Sequence, residues 1–178
     1  MHDIPADILK KASEGDIGSF EQIYNNTAGF VYNVALRVLN NSEDAEEVAQ
    51  EVFVAVYRKL KYFRFESSIK TWVYRITANR AINLAKKRSR EKMITKEYEK
   101  EAYLATGVNA EKDKRGETID MLLRSVDPDQ RACLVLRNIE GLSYKEISET
   151  LKININTVRS RLKRARERLA ALKDARIV

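Results

Sequence analysis

One cysteine, Cys133, and one histidine, His2, in 178 residues leave this chain without an internal disulfide or a cluster of zinc-ligand spacing, so no structural metal is expected. No apolar run approaches the roughly 18 residues of a membrane helix, and membrane insertion is not expected. The start, Met1-His2-Asp3-Ile4-Pro5, lacks a basic stretch followed by an apolar one. No secretory signal is therefore read, and the protein is expected to stay in the cytoplasm. There is also no glycine-rich phosphate loop and no nucleophile paired with a base. Glu46, Glu47 and Glu51 are helical neighbours that close no metal constellation, so neither an enzyme nor a cofactor is expected.

With only two prolines and six glycines, the chain has few breakers, and strand-like alternation is not sustained anywhere. Apolar residues recur instead at three- and four-residue intervals, which predicts an all-α fold. Phe20, Ile23 and Tyr24 mark one amphipathic helix, and Val31, Val34, Ala35 and Val38 mark the next. After the break at Asn40-Asn41-Ser42, Ser42 is the expected cap of a third helix. Glu43 and Asp44 suit the positive end of its dipole, and Ala45, Val48, Ala49, Val52, Val56 and Leu60 supply its buried stripe. A polar loop over 64–68 leads to a fourth helix over about 70–90.

Residues 92–117 are charged and lack an apolar stripe, and Gly107, Asn109 and Gly116 interrupt them. They read as a linker, with a short solvated helix possible around Lys96 and Glu99. It divides the chain into two small helical domains, 1–92 and 118–178, with the linker proper at 93–117. Helix signals then return clearly. Asp127-Pro128-Asp129-Gln130 places a cap before proline at the first helical position. Ala132, Val135, Leu136 and Ile139 are the expected buried side, and Gly141 the stop. Ser143-Tyr144-Lys145-Glu146 is a capping box between Leu142 and Ile147, which sit where a hydrophobic staple would. That short helix runs to about Leu151. A turn over 152–156 precedes a basic helix over 157–172 with Val158, Leu162, Ala165 and Leu169 inward.

Charge is unevenly placed. Residues 75–92 hold seven Lys/Arg against Glu91, and residues 152–168 hold seven against Glu167, so each segment is +6 in a chain of net +7. The remainder is −5. Two concentrated basic segments in an otherwise acidic chain predict two polyanion contacts. In the C-terminal half, two helices joined by a tight turn, the second one basic, have the layout of a helix-turn-helix. Arg159 and Ser160, near the start of its second helix, are best placed for base edges. Lys163, Arg164 and Arg166 lie further along and suit phosphates.

Gly141-Leu142-Ser143-Tyr144-Lys145-Glu146-Ile147, followed by Thr157-Val158-Arg159-Ser160-Arg161-Leu162-Lys163-Arg164-Ala165-Arg166, resembles domain 4 of bacterial sigma factors of the extracytoplasmic function (ECF) type. In that family this domain binds the −35 promoter element, which implies DNA contacts from Thr157, Arg159, Ser160, Arg161, Lys163, Arg164 and Arg166. Asp44-Ala45-Glu46-Glu47-Val48-Ala49-Gln50-Glu51-Val52-Phe53 resembles the domain 2 helix that grips the clamp coiled coil of core RNA polymerase. Asp44, Glu47, Gln50 and Glu51 would then meet polymerase, and an acidic stripe suits a basic protein partner where it would repel DNA. The stretch from Tyr62 to Arg80 resembles the −10 recognition and melting segment. Strand opening without ATP needs aromatic platforms for unstacked bases and cations for the exposed backbone. The resemblance assigns Phe63, Arg64, Ser67, Trp72, Arg75, Asn79, Arg80, Asn83, Lys86, Lys87 and Arg88 to −10 DNA. Trp72 could equally be core. Phe65 departs from the small residue more usual in that loop.

The resemblance implies an initiation factor that binds core polymerase at clamp and flap, recognises −10 and −35 elements, and is held by an anti-sigma factor. It also implies a linker running along the polymerase cleft, and no further domain is expected after Val178. The alternative is a helix-turn-helix regulator that binds its operator without replacing the sigma subunit. That alternative gives no task to the acidic stripe at Asp44 or to the aromatic-basic helix beginning at Thr71.

Overall fold

The computed structural model of the chain describes residues 4–99, 123 and 125–174, and every regular element among them is helical. In order these are α1 (Ala6–Ser13), α2 (Ile17–Leu39), α3 (Ser42–Lys59), a 3₁₀ turn (Leu60–Tyr62) and α4 (Ile69–Glu99). After the linker come α5 (Pro128–Leu134), a π-helical turn (Val135–Ile139), α6 (Tyr144–Leu151) and α7 (Ile155–Asp174). The all-α expectation holds, with several local corrections.

The two helices expected between Phe20 and Val38 are one, α2. Thr27 and Gly29 are weak helix formers but neither blocks the helix. The Thr27 hydroxyl donates to the Ile23 carbonyl at 2.6 Å, and nothing crowds Gly29. Packing of Ile23, Val31, Val34 and Val38, all fully buried, overrides that weak propensity. The cap of α3 is Asn41, not Ser42. Asn40 ends α2 in the left-handed region at φ 54°, which leaves Asn41 in the extended backbone a cap requires. Its side-chain oxygen accepts from the Asp44 amide at 2.8 Å.

In the second half, the Asp127 cap before Pro128 and the Ser143–Glu146 capping box both form. Hydrogen bonds from the Ser143 side chain and backbone hold Glu146 below the usual carboxylate range. Ile139, expected inside, is 49% exposed. The reason is the π-helical turn, whose Glu140 amide reaches back five residues to the Val135 carbonyl at 3.1 Å and shifts the register of the inward face. The last helix begins two residues earlier than expected, at Ile155. The fourth helix runs on to Glu99, through the first residues assigned to the linker, whereas residues 100–117 lie outside the described ones.

Val48, Val52 and Val56 of α3 and Val73, Ala78 and Ala81 of α4 pack on the α2 face, while Leu136, Ile147, Val158 and Leu162 centre the second half. The two sets join in one connected core, because α4 packs on α5 and α6, and α2 on α5 and the π-helical turn. Cys133 is fully buried in that core, and burial pushes its thiol up to about 11, with Arg161 acting in the opposite direction. Native protein at pH 7.5 is therefore expected to react with a chromogenic disulfide reagent at least tenfold more slowly than the same protein in guanidinium. Equal rates would mean that the thiol is accessible.

Candidate nucleic-acid interface

Helix α3 presents its apolar residues inward and its acids outward. Glu47, Gln50 and Glu51 are exposed, and Asp44 is half-buried. Two members of this stripe are already engaged with α4: Arg88 Nη2 lies 2.8 Å from Asp44 Oδ1, and Arg80 pairs with Glu51. The hydrogen bond that Arg88 donates to Asp44 is the main influence raising Arg88 above its ordinary value. The structure thus brings the candidate polymerase contacts and part of the candidate −10 contacts to either side of one shallow groove. Glu47, Glu51, Arg80, Asn83, Leu84 and Lys87 line it. Exposed ion pairs of this kind contribute only about 0–1 kcal/mol, so external partners can compete for their members.

The loop between the 3₁₀ turn and α4 is aromatic. Phe63 lies 5.3 Å from Trp72 and 4.9 Å from Phe65, ring centre to ring centre. Trp72 is half-buried and packs against the core, which ties the cluster of three mutually tilted rings to it. Phe65, the outermost ring, is 53% exposed and has φ of 56°. A bulky residue in the left-handed region is strained, and such strain persists where surrounding structure imposes it. Arg64 is exposed, with Glu66 4.0 Å away, and Ser67 is half-buried. Ser68 caps α4 by accepting from the Thr71 amide at 3.1 Å.

Along α4, Asn79, Asn83, Lys87 and Arg88 are exposed, with Lys87 3.9 Å from Glu91. Arg75 and Lys86 are not free. Arg75 donates to the Glu149 carbonyl of α6 at 2.9 Å, and Lys86 pairs with Asp129 of α5 at 2.6 Å. Asp129 also lies 3.4 Å from Arg161 of α7, so one carboxylate joins a cation from each candidate DNA helix. Glu140 accepts from the Tyr74 hydroxyl of α4 and Arg131 of α5 donates to the Val38 carbonyl of α2 at 2.7 Å, and nothing in the sequence pattern singled out Asp129, Glu140 or Arg131 for such contacts. Their partners lie far along the chain, where periodicity carries no information.

On α7, Arg159, Ser160, Lys163, Arg164 and Arg166 are exposed, and Thr157 and Arg161 are half-buried. Arg159 donates to Asn156 at 2.9 Å and the Ser160 hydroxyl to the Thr157 carbonyl at 3.0 Å, which organises the start of the helix. Val158, Leu162 and Ala165 are fully buried, as expected. This leaves a continuous basic face with the geometry of a recognition helix. Among the described residues, no group of His, Cys, Asp or Glu could hold a metal, and no helix is long and apolar enough to cross a membrane.

Residues 23–91 match the family Sigma-70 region 2, and residues 116–169 match Sigma-70, region 4. The chain is 35% identical over 155 residues to the ECF RNA polymerase sigma factor SigE of Mycolicibacterium smegmatis, covering 85% of this chain and 60% of that protein. It is 32% identical over 171 residues to the RNA polymerase sigma-H factor of Pseudomonas aeruginosa, covering 90% and 89%. Its fold is similar to that of CnrH in complex with the cytosolic domain of CnrY, with a TM-score of 0.72 and 23% identity over 97% of this chain and 99% of that one. A second similar fold is the sigma factor RpoE of Bartonella quintana in complex with the anti-sigma factor NepR, with a TM-score of 0.68 and 23% identity over 89% and 98%. The two family matches in their order along one chain, together with relatives matched over nearly their whole length, place this protein among the ECF sigma factors.

Proposed function

We propose that this ECF sigma factor joins core RNA polymerase through the exposed acids of α3, reads the −10 element with the aromatic loop and α4, and reads the −35 element with α7. The observation that carries this division is the segregation of charge and aromatic surface: acids on one side of α3, a cluster of three rings at the start of α4, and a basic face on α7. Glu47, Gln50 and Glu51 would meet the basic clamp. Phe63, Trp72 and Phe65 would receive an unstacked base, with Arg64 and Ser67 at its edge. Asn79, Arg80, Asn83, Lys87 and Arg88 would follow the duplex backbone from there. The two similar folds, CnrH bound to the cytosolic domain of CnrY and RpoE bound to the anti-sigma factor NepR, support an anti-sigma partner for this chain also.

Runoff transcription tests the reading. Purified core polymerase with a pool of promoter fragments is expected to yield discrete transcripts only when this protein is added. No protein-dependent transcript would overturn it, and tight operator binding by the protein alone would favour a conventional regulator. On a responsive promoter, Arg159→Ala should reduce initiation by roughly 5- to 150-fold, the value of one bidentate arginine–guanine contact of about 1–3 kcal/mol. Lys163→Ala should act less and more salt-dependently. Equal losses at every −35 sequence would reassign Arg159 to phosphate.

A further inference from the structure

Helix α7 is tied to α6 by a chain of hydrogen bonds that ends on Arg159. The Ser148 hydroxyl of α6 donates to the Ile153 carbonyl at 2.6 Å, and the Ile153 amide donates back to the Ser148 carbonyl at 3.1 Å. Between them Lys152 is left-handed at φ 53°, which makes the turn tight without a glycine, and Ile153 packs against the core. Asn154 follows. Its side-chain oxygen accepts from the Asn156 amide at 2.8 Å, and its carbonyl accepts from the Thr157 and Val158 amides at 2.9 and 3.1 Å. The Asn156 side chain then accepts from Arg159 Nη1 at 2.9 Å. These two residues lie three apart on one face of α7, and both are exposed. A guanidinium offers only donors, so Asn156 must turn its oxygen, not its amide nitrogen, towards Arg159. Nearby cations are held by carboxylates instead: Arg161 lies 3.4 Å from Asp129 and Lys163 3.7 Å from Glu167. Asn156 orients Arg159 without cancelling its charge.

We infer that Asn156 is a positioning residue for promoter discrimination: it holds the Arg159 guanidinium in the pose that reads a base edge before DNA arrives. This rests on the base-reading role proposed for Arg159 above. The physical reason is preorganisation. An exposed arginine samples many rotamers, and fixing it in one of them on binding costs affinity for the single pose that contacts a base. A guanidinium left to rotate also reaches phosphates, which fix register but carry no sequence information. Asn156 removes much of that freedom and uses only one N–H of the guanidinium, so donors remain for both acceptors of guanine. The Ser148–Ile153 brace and the Asn154 bond supply the other half of the device, because they fix the backbone from which Asn156 projects. Asn156 thus acts on DNA through Arg159.

Runoff transcription with core polymerase and the full chain tests this. The quantity read is a discrimination ratio: initiation on a responsive promoter over initiation on the same promoter changed at the −35 base most sensitive to Arg159→Ala. Asn156→Ala is expected to lower the ratio about fivefold, the value of ordering one long side chain in advance. In an Arg159→Ala background the same substitution should have no further effect on the ratio, since Asn156 works only through Arg159. Asn156→Asp keeps an acceptor at the same reach. It should hold the ratio within about twofold of the wild type while its charge lowers initiation on both templates alike. The thermal midpoint of Asn156→Ala should not fall, because the residue is exposed and alanine is the better helix former. The inference is overturned if Asn156→Ala leaves the ratio intact, or lowers it by the same factor with and without Arg159. A loss for Asn156→Asp as large as that for Asn156→Ala also overturns it, since the amide N–H would then be the reading group. The two readings fail separately. Equal losses for Arg159→Ala at every −35 sequence remove both, whereas a selective loss for Arg159→Ala beside a silent Asn156→Ala removes only the positioning role.

Discussion

Arg131→Met is expected to lower the thermal midpoint by roughly 5–10 °C, the shift that about 2–3 kcal/mol produces in a protein of this length. Arg131 is a charged residue only 8% exposed. Its guanidinium donates to the Val38 carbonyl at 2.7 Å and to the Val126 carbonyl at 3.0 Å. Methionine preserves much of the apolar stem but leaves those carbonyls without their donor, and each buried, unsatisfied acceptor costs about 1–3 kcal/mol. Val126 belongs to the same half as Arg131, so loosening of the contact with α2 would not relieve the loss at its carbonyl. Arg131→Lys should recover only part of it, because one ammonium lacks the fork that spans two acceptors. Calorimetry decides the matter: a midpoint within 1–2 °C of the wild type, a shift worth well under 1 kcal/mol here, would show that water replaces the guanidinium without cost.

The second large effect is expected at Glu47, where Glu47→Lys should weaken assembly with core polymerase by about 100-fold or more. Glu47 is exposed and makes no hydrogen bond or ion pair among the described residues, whereas Asp44 and Glu51 are engaged by Arg88 and Arg80. It is therefore the acid of the stripe whose reversal disturbs the fold least and the proposed interface most. Placing like charges in contact across an interface costs several kcal/mol, of which about 2.7 kcal/mol already corresponds to 100-fold. Glu21→Lys, equally exposed on α2, is the control for net charge. Competition binding against a labelled sigma subunit measures the affinity. Equal affinity for the Glu47 and Glu21 variants would remove α3 from the polymerase interface.

Local chemistry was the legible part of this protein. The Asp127-Pro128 start, the Ser143–Glu146 box and the inward positions of α7 follow from side-chain–backbone bonds and helical spacing within a few residues, and each forms as expected. What could not be read was set by partners distant along the chain. Asn25 to Gly29 looks like a weak point in isolation, and only the core beneath it keeps α2 continuous. Tyr74 and Arg75 have the same sequence signature whether they face water, DNA or α6. The eight residues of α1 are too short for periodicity to resolve, although Leu9 and Ala12 bury well. The exposed acids of α3 and cations of α7 were found by spacing, while their quenching by Arg80, Arg88 and Asp129 appears only in three dimensions.

The π-helical turn at Val135–Ile139 gives the docking of the halves an unusual arithmetic. An α-helix advances about 100° per residue, so the one additional residue in this turn reorients everything that follows relative to α5. Ile139 is turned outward, and Glu140 arrives at the Tyr74 hydroxyl. A change in chain length by a single residue here would undo both at once, without altering any side chain proposed to touch DNA or polymerase. The packing of the two halves on each other can therefore change through insertion and deletion at one helical turn, independently of the surfaces proposed to select promoters.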